Sequence, residues 1–154
     1  MMKIGFIGVG VMGKGMVKNL CKANYDVSIY TRTKDKVLDI LDQVTWCDSI
    51  KECVKDKDII MTMVGFPKDV EEVYFESDGI IENVNPNSIL IDFTTSTPCL
   101  SQKIYKICKD KQIFSLDAPG VLQLNNINFF ETLDIALFFL SIFLYFLFVL
   151  FGTL

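Results

Sequence analysis

Gly8-Val9-Gly10-Val11-Met12-Gly13 stands directly between an apolar run of strand length, Lys3-Ile4-Gly5-Phe6-Ile7, and a helix-like stretch from Lys14 to Asn24. A second run, Val27-Ser28-Ile29-Tyr30, closes a strand, glycine turn, helix and strand unit of about thirty residues. A bare G-x-G-x-x-G pattern is weak; this one has the flanking elements that give it meaning. Each glycine has a physical task. Gly8 permits the tight turn, Gly10 lets backbone amides approach a diphosphate, and Gly13 lets the helix pack close to the strand. The first-turn amides around Val11, Met12 and Gly13 lack intrahelical partners, and together with the helix dipole they suit a dinucleotide's phosphates.

Outward from this unit the same alternation continues. Lys34 to Leu41 reads as a short amphipathic helix with Val37, Leu38 and Leu41 apolar, Val44-Thr45-Trp46 as a short strand, and Asp48 or Ser49 as the cap of a helix through Val54. Ile59 to Val64 is apolar without alternation, as a parallel strand buried on both faces requires, and Gly65-Phe66-Pro67 stops it. A helix over Asp69 to Phe75, a strand over Ser88 to Phe93, a helix from about Leu100 to Asp110 and a strand over Ile113 to Leu116 follow. Strand and helix in regular turn predict an α/β protein with a doubly wound parallel sheet of Rossmann type, whose ligands lie at the carboxyl ends of its strands.

The end of the second strand bears on the choice of dinucleotide. NAD-binding folds place a carboxylate there for the adenine ribose, whereas an arginine favours the 2′-phosphate of NADP. Here the chain reads Tyr30-Thr31-Arg32-Thr33-Lys34, with the first carboxylate at Asp35. A guanidinium pairs with phosphate, and the hydroxyls of Thr31 and Thr33 add donors. NADP is therefore expected over NAD, with NAD left as the alternative if Arg32 is only a solvated surface residue.

Composition narrows the function classes. The chain of 154 residues has a net charge of −4 and a single arginine, so no basic face for nucleic acid is expected. It has no histidine, which excludes histidine bases, histidine triads and histidine metal sites. The five cysteines contain no C-x-x-C pair and read as reduced thiols rather than a disulfide or zinc framework, so no metal is expected. The N-terminus opens straight into a strand without signal-peptide character, and a cytoplasmic globular domain is expected.

Several stretches, taken in order, resemble the β-hydroxyacid dehydrogenases, the group of 3-hydroxyisobutyrate dehydrogenase, tartronate semialdehyde reductase and the glyoxylate and succinic semialdehyde reductases. The first is Gly5-Phe6-Ile7-Gly8-Val9-Gly10-Val11-Met12-Gly13 with Gly15-Met16 and Asn19-Leu20. Tyr30-Thr31-Arg32-Thr33 is similar to the NADP-preferring members. Phe66-Pro67, following Val64, falls where the family lays a loop against the nicotinamide half of the cofactor, and Asp92-Phe93-Thr94-Thr95-Ser96-Thr97-Pro98 matches an element that implies a cofactor contact at Thr95. Asp117-Ala118-Pro119 begins the substrate motif. The 6-phosphogluconate dehydrogenases share the fold, but the Thr94 to Pro98 stretch looks closer to the smaller hydroxyacid enzymes. The resemblance implies hydride transfer between NADP(H) and a small hydroxy acid or semialdehyde.

Past Pro119 the likeness ends. The family continues with a substrate serine and glycines and then an all-helical domain carrying a catalytic lysine, while this chain reads Gly120-Val121-Leu122 and has no lysine after Lys111. The expected organisation is an NADP-binding domain over 1–119, a linker over 120–134 and a hydrophobic tail over 135–154, with the second helical domain absent. On this reading no catalytic residue is assigned, and the domain is truncated and inactive alone. All but two charged side chains precede residue 120, and eight of the thirteen phenylalanines follow it. Twenty uncharged residues are long enough for an apolar helix across a membrane. The tail is thus a candidate transmembrane anchor, which would make the protein a non-catalytic membrane-tethered NADP-binding module, or else the product of a shifted reading frame.

Overall fold

The computed structural model describes residues 2–118. The expected linker over 120–134, the apolar tail over 135–154 and Pro119 lie outside the described residues; among those described, no helix is long and apolar enough to cross a membrane. Among the described residues six strands form one sheet: β1 (Lys3–Ile7), β2 (Asp26–Tyr30), β3 (Thr45–Trp46), β4 (Ile59–Thr62), β5 (Ile89–Asp92) and β6 (Phe114–Asp117). All neighbours pair in parallel, in the order β3-β2-β1-β4-β5-β6. This is the doubly wound Rossmann architecture. The chain leaves β1 toward β2 and β3, then returns past β1 to β4, so the order reverses between β1 and β4.

Side-chain alternation assigns the two faces. On β1, Gly5 abuts the Cys53 carbonyl of helix α2 (Ile50–Val54), and Ile7 joins the cluster formed with α2 and with helices α3 (Pro67–Phe75), α4 (Ile80–Asn83) and α5 (Pro98–Asp110). Ile60 and Leu90 belong to the same cluster, in register with Gly5 across the sheet. Phe6 points the other way, toward helix α1 (Val11–Lys22). Strands buried on both faces need no polar alternation, which is why β4 is fully buried along its length.

Most element boundaries shift by one or two residues from the sequence reading, and some differences go further. Lys34–Ile40 is a 3-10 helix, whose three residues per turn stack Val37 on Ile40 in the core and turn Leu38 out to solvent. Pro67 is the first residue of α3 rather than only the stop of β4, a position where its missing N–H costs nothing. The four-residue α4 is an addition. Ser49 caps α2 as expected, its hydroxyl accepting from the Glu52 N–H.

Candidate functional site

The β1–α1 turn is built from backbone. Gly8 has φ +91°, and its N–H donates to the Tyr30 carbonyl at 3.0 Å, tying the turn to β2. A Cβ there would overlap the Met63 carbonyl. Gly13 sits on the face of α1 toward β1, where a Cβ would overlap the Gly8 carbonyl and meet the Phe6 ring at 3.0 Å. Gly10, the N-cap of α1, faces open space. Val11 is 92% exposed although apolar, and the first turn carries no acidic side chain that could occupy its amides. An open glycine, unpartnered helix amides and no internal anion fit a diphosphate group.

A cleft of about 270 Å³ opens at the carboxyl ends of β1 and β4, where the strand order reverses. It gathers six of the residues singled out from sequence: Gly8, Gly10, Thr31, Arg32, Thr33 and Val64. Lys36 and Asp69 also line it; both are additions. Val11, Met12 and Gly13 stand at the start of α1 beside the turn, while Phe66, Pro67 and Thr95 are not among the walls. A second hollow of about 240 Å³ between α5 and β6 is walled by Tyr74, Asp92 and Asp117; it includes the first residues of the Asp92 and Asp117 motifs but none of the expected cofactor contacts.

The far side of the cleft is built from charge. Arg32 Nη2 donates to Asp69 Oδ1 at 2.9 Å and to Glu72 Oε2 at 2.7 Å, both on α3, with the arginine side chain 62% exposed. Asp69 does double duty, because its Oδ2 accepts from the Phe66 N–H at 2.9 Å and so caps α3. The 3-10 segment that follows Arg32 is fixed to α1 by Asp39, which accepts from Lys14 at 2.8 Å and Lys18 at 3.0 Å. Those hydrogen bonds lower the Asp39 carboxyl to about 2.

The ends of β4 and β5 are joined by a buried polar chain. Thr62 Oγ1 donates to Asp92 Oδ1 at 2.7 Å and the Thr94 N–H to the same oxygen at 3.0 Å, while Thr94 Oγ1 accepts from the Val64 N–H at 3.0 Å. The Tyr74 hydroxyl lies 3.2 Å from Thr62 Oγ1. Since Thr62 gives its one proton to Asp92, Tyr74 is the donor in that contact. Burial raises the Asp92 carboxyl, and its hydrogen bonds from Thr94 and Thr62 oppose the shift. Of the adjacent threonines, Thr94 is buried in this chain and Thr95 is exposed. Phe66 is 72% exposed at the N-cap of α3.

A parallel sheet with an order reversal, a glycine turn on its central strand and an open helix N-terminus define a dinucleotide-binding α/β domain. Residues 3–121 match the family described as the NAD binding domain of 6-phosphogluconate dehydrogenase, and the chain belongs to that family. Over 117 residues it is 52% identical to the uncharacterized oxidoreductase YkwC of Bacillus subtilis (strain 168), covering 75% of this chain and 41% of that protein. A probable 3-hydroxyisobutyrate dehydrogenase-like protein 1 of Arabidopsis thaliana, mitochondrial, is 38% identical over 119 residues, covering 76% of this chain and 36% of that one. The solved 3-hydroxyisobutyrate dehydrogenase of Mycobacterium tuberculosis with L-serine superposes with a TM-score of 0.70 at 25% identity, covering 77% of this chain and 40% of that structure. The chain thus spans about two fifths of the length of the curated relatives it matches. What the match establishes for this chain is the nicotinamide-dinucleotide-binding domain of that family.

Proposed function

We propose that the cleft between β1 and β4 binds NADP in preference to NAD, for a 3-hydroxyacid dehydrogenase-type reaction on a small hydroxy acid or semialdehyde. The observation that carries this reading is that a single cleft at the order reversal has the glycine turn on one side and the Thr31-Arg32-Thr33 stretch on the other. The amides of Val11, Met12 and Gly13, reached across the open face of Gly10, hold the diphosphate. Arg32 takes the 2′-phosphate, assisted by the hydroxyls of Thr31 and Thr33. Val64, Phe66, Pro67 and Thr95 lie along the nicotinamide half. The cofactor supplies or accepts the hydride; the residues of this domain bind and orient it.

The substrate class rests on the named relatives and on the sequence resemblance. The groups that hold and polarise the substrate in the β-hydroxyacid dehydrogenases have no counterpart in these 154 residues, so the chain as given binds cofactor without turnover. Titration of the full chain with NADPH and NADH tests the reading. Arg32→Ala weakens NADPH about tenfold and leaves NADH within about twofold, as expected for loss of a charge-assisted phosphate contact. An equal loss for both cofactors would overturn the 2′-phosphate assignment, and oxidation of NADPH by small aldehyde acids would overturn the inactivity of the chain alone.

A further inference from the structure

The guanidinium assigned to the 2′-phosphate already has two anionic partners. Asp69 and Glu72 both contact Arg32 Nη2, and they come from α3, on the β4 side of the cleft, whereas Arg32 comes from the end of β2. The ion cluster therefore links the segment after β2 to α3, with β1 between their strands in the sheet. Its formal charge is −1, from one guanidinium and two carboxylates. A 2′-phosphate approaching Arg32 meets two carboxylates holding the nitrogen it would use, and close like charges repel. A 2′-hydroxyl meets no such penalty and can donate to a carboxylate.

We propose that Asp69 and Glu72 are selectivity-setting residues that compete with the 2′-phosphate for Arg32 and so narrow the preference for NADPH over NADH. The inference rests on the reading of the cleft given above. The two carboxylates differ in a way that makes the idea testable. Asp69 also caps α3 through its second oxygen, so its removal touches the helix as well as the arginine. Glu72 reaches Arg32 from one turn further along α3, and its neighbour Glu71 is exposed on the same helix. Glu71 thus offers an equal change of charge away from the ion cluster.

The experiment is equilibrium titration of the full chain and its Glu72→Gln, Asp69→Asn and Glu71→Gln variants with NADPH and with NADH. Glu72→Gln is expected to tighten NADPH about three- to fivefold, the scale of an exposed ion pair, with NADH changed by less than about twofold. Asp69→Asn, whose amide oxygen can still accept from the Phe66 N–H, shifts the ratio in the same direction, and Glu71→Gln leaves it unchanged. If Glu72→Gln and Asp69→Asn both keep the wild-type ratio while both cofactors still bind, the competition is refuted and the cleft assignment stands. Equal shifts from Glu71→Gln and Glu72→Gln would also refute it, by showing only general charge. Binding of neither cofactor to the wild-type chain would overturn the cleft assignment itself, and this inference with it.

Discussion

The two sides of the cleft are made of different materials. On the glycine side, the shape is fixed by backbone: Gly8 at φ +91° lies against the Met63 carbonyl, and Gly13 lies against the Gly8 carbonyl and Phe6. These are steric constraints with no flexible side chain at the closest contact. On the arginine side, the arrangement is a half-exposed ion cluster of Arg32, Asp69 and Glu72, held by contacts that water and salt weaken. The first side resists change and can present the same surface to any dinucleotide. The second can exchange partners, and on the reading proposed above it is the side where the choice between cofactors is set.

The comparison is broken most directly at Gly8. Gly8→Ala places an L side chain at positive φ, costing about 1–2 kcal/mol, and adds overlap with the Met63 carbonyl, just past the end of β4, that only a shift of backbone relieves. A total loss of about 4 kcal/mol or more is expected in urea unfolding followed by Trp46 fluorescence. A near-neutral Gly8→Ala would show the turn to be as yielding as the ion cluster, and the contrast between the two sides would fail.

Next in size is Thr62→Val, at the join between β4 and β5. It leaves the Tyr74 hydroxyl without its acceptor and Asp92 without one of its donors, for about 2–4 kcal/mol at neutral pH. The pH dependence has a definite sign. Because burial raises the Asp92 carboxyl, folding favours its protonated form; the stability this contributes is present below the ordinary carboxylate range and is lost as pH rises through the raised value. Removing Thr62 removes a group that favours the carboxylate, so the penalty of Thr62→Val grows from pH 4 to pH 7. A penalty independent of pH would mean that Asp92 keeps one protonation state across that range.

How much of this was legible from sequence follows the same division. The glycine turn, its flanking strand and helix, and the alternation of strands and helices along the chain could be read because each depends on residues adjacent in the chain. Continuous apolar runs such as Ile59 to Thr62 announced buried parallel strands. The pairing of Arg32 with Asp69 and Glu72 could not be read, since it joins positions 37 and 40 residues apart that meet only when β1 separates β2 from β4 in the sheet. Lys36, four residues past Arg32, lines the cleft from a segment that is 3-10, and nothing in its residue type marks it for that position. Thr94 and Thr95 are chemically alike, and which hydroxyl turns inward is decided by the geometry after Asp92, not by residue type. The helix α4 is four residues long, too short for any hydrophobic period to show.

The smallest predicted effect sharpens the comparison where the two sides meet. Asp39 receives Lys14 and Lys18 from the glycine-side helix while sitting in the 3-10 segment that follows Arg32 and Thr33. Its carboxyl, lowered to about 2 by those lysines, adds stability that is present above its ordinary value near 3.8 and lost as pH falls through about 2. Asp39→Asn is therefore expected to destabilise slightly at neutral pH and progressively less as pH falls through about 2, with the difference shrinking as salt is added. The clearer readout is local: amide hydrogen exchange should quicken in residues 34–40 and stay unchanged in β1 and α1, because the sheet and the glycine contacts do not depend on Asp39. NADPH should bind somewhat more weakly, since the segment carrying Thr33 and Lys36 is less fixed, and NADH should change less. Faster exchange spreading into α1 would mean that the arginine side supports the glycine side, reversing the order of dependence drawn from their contacts.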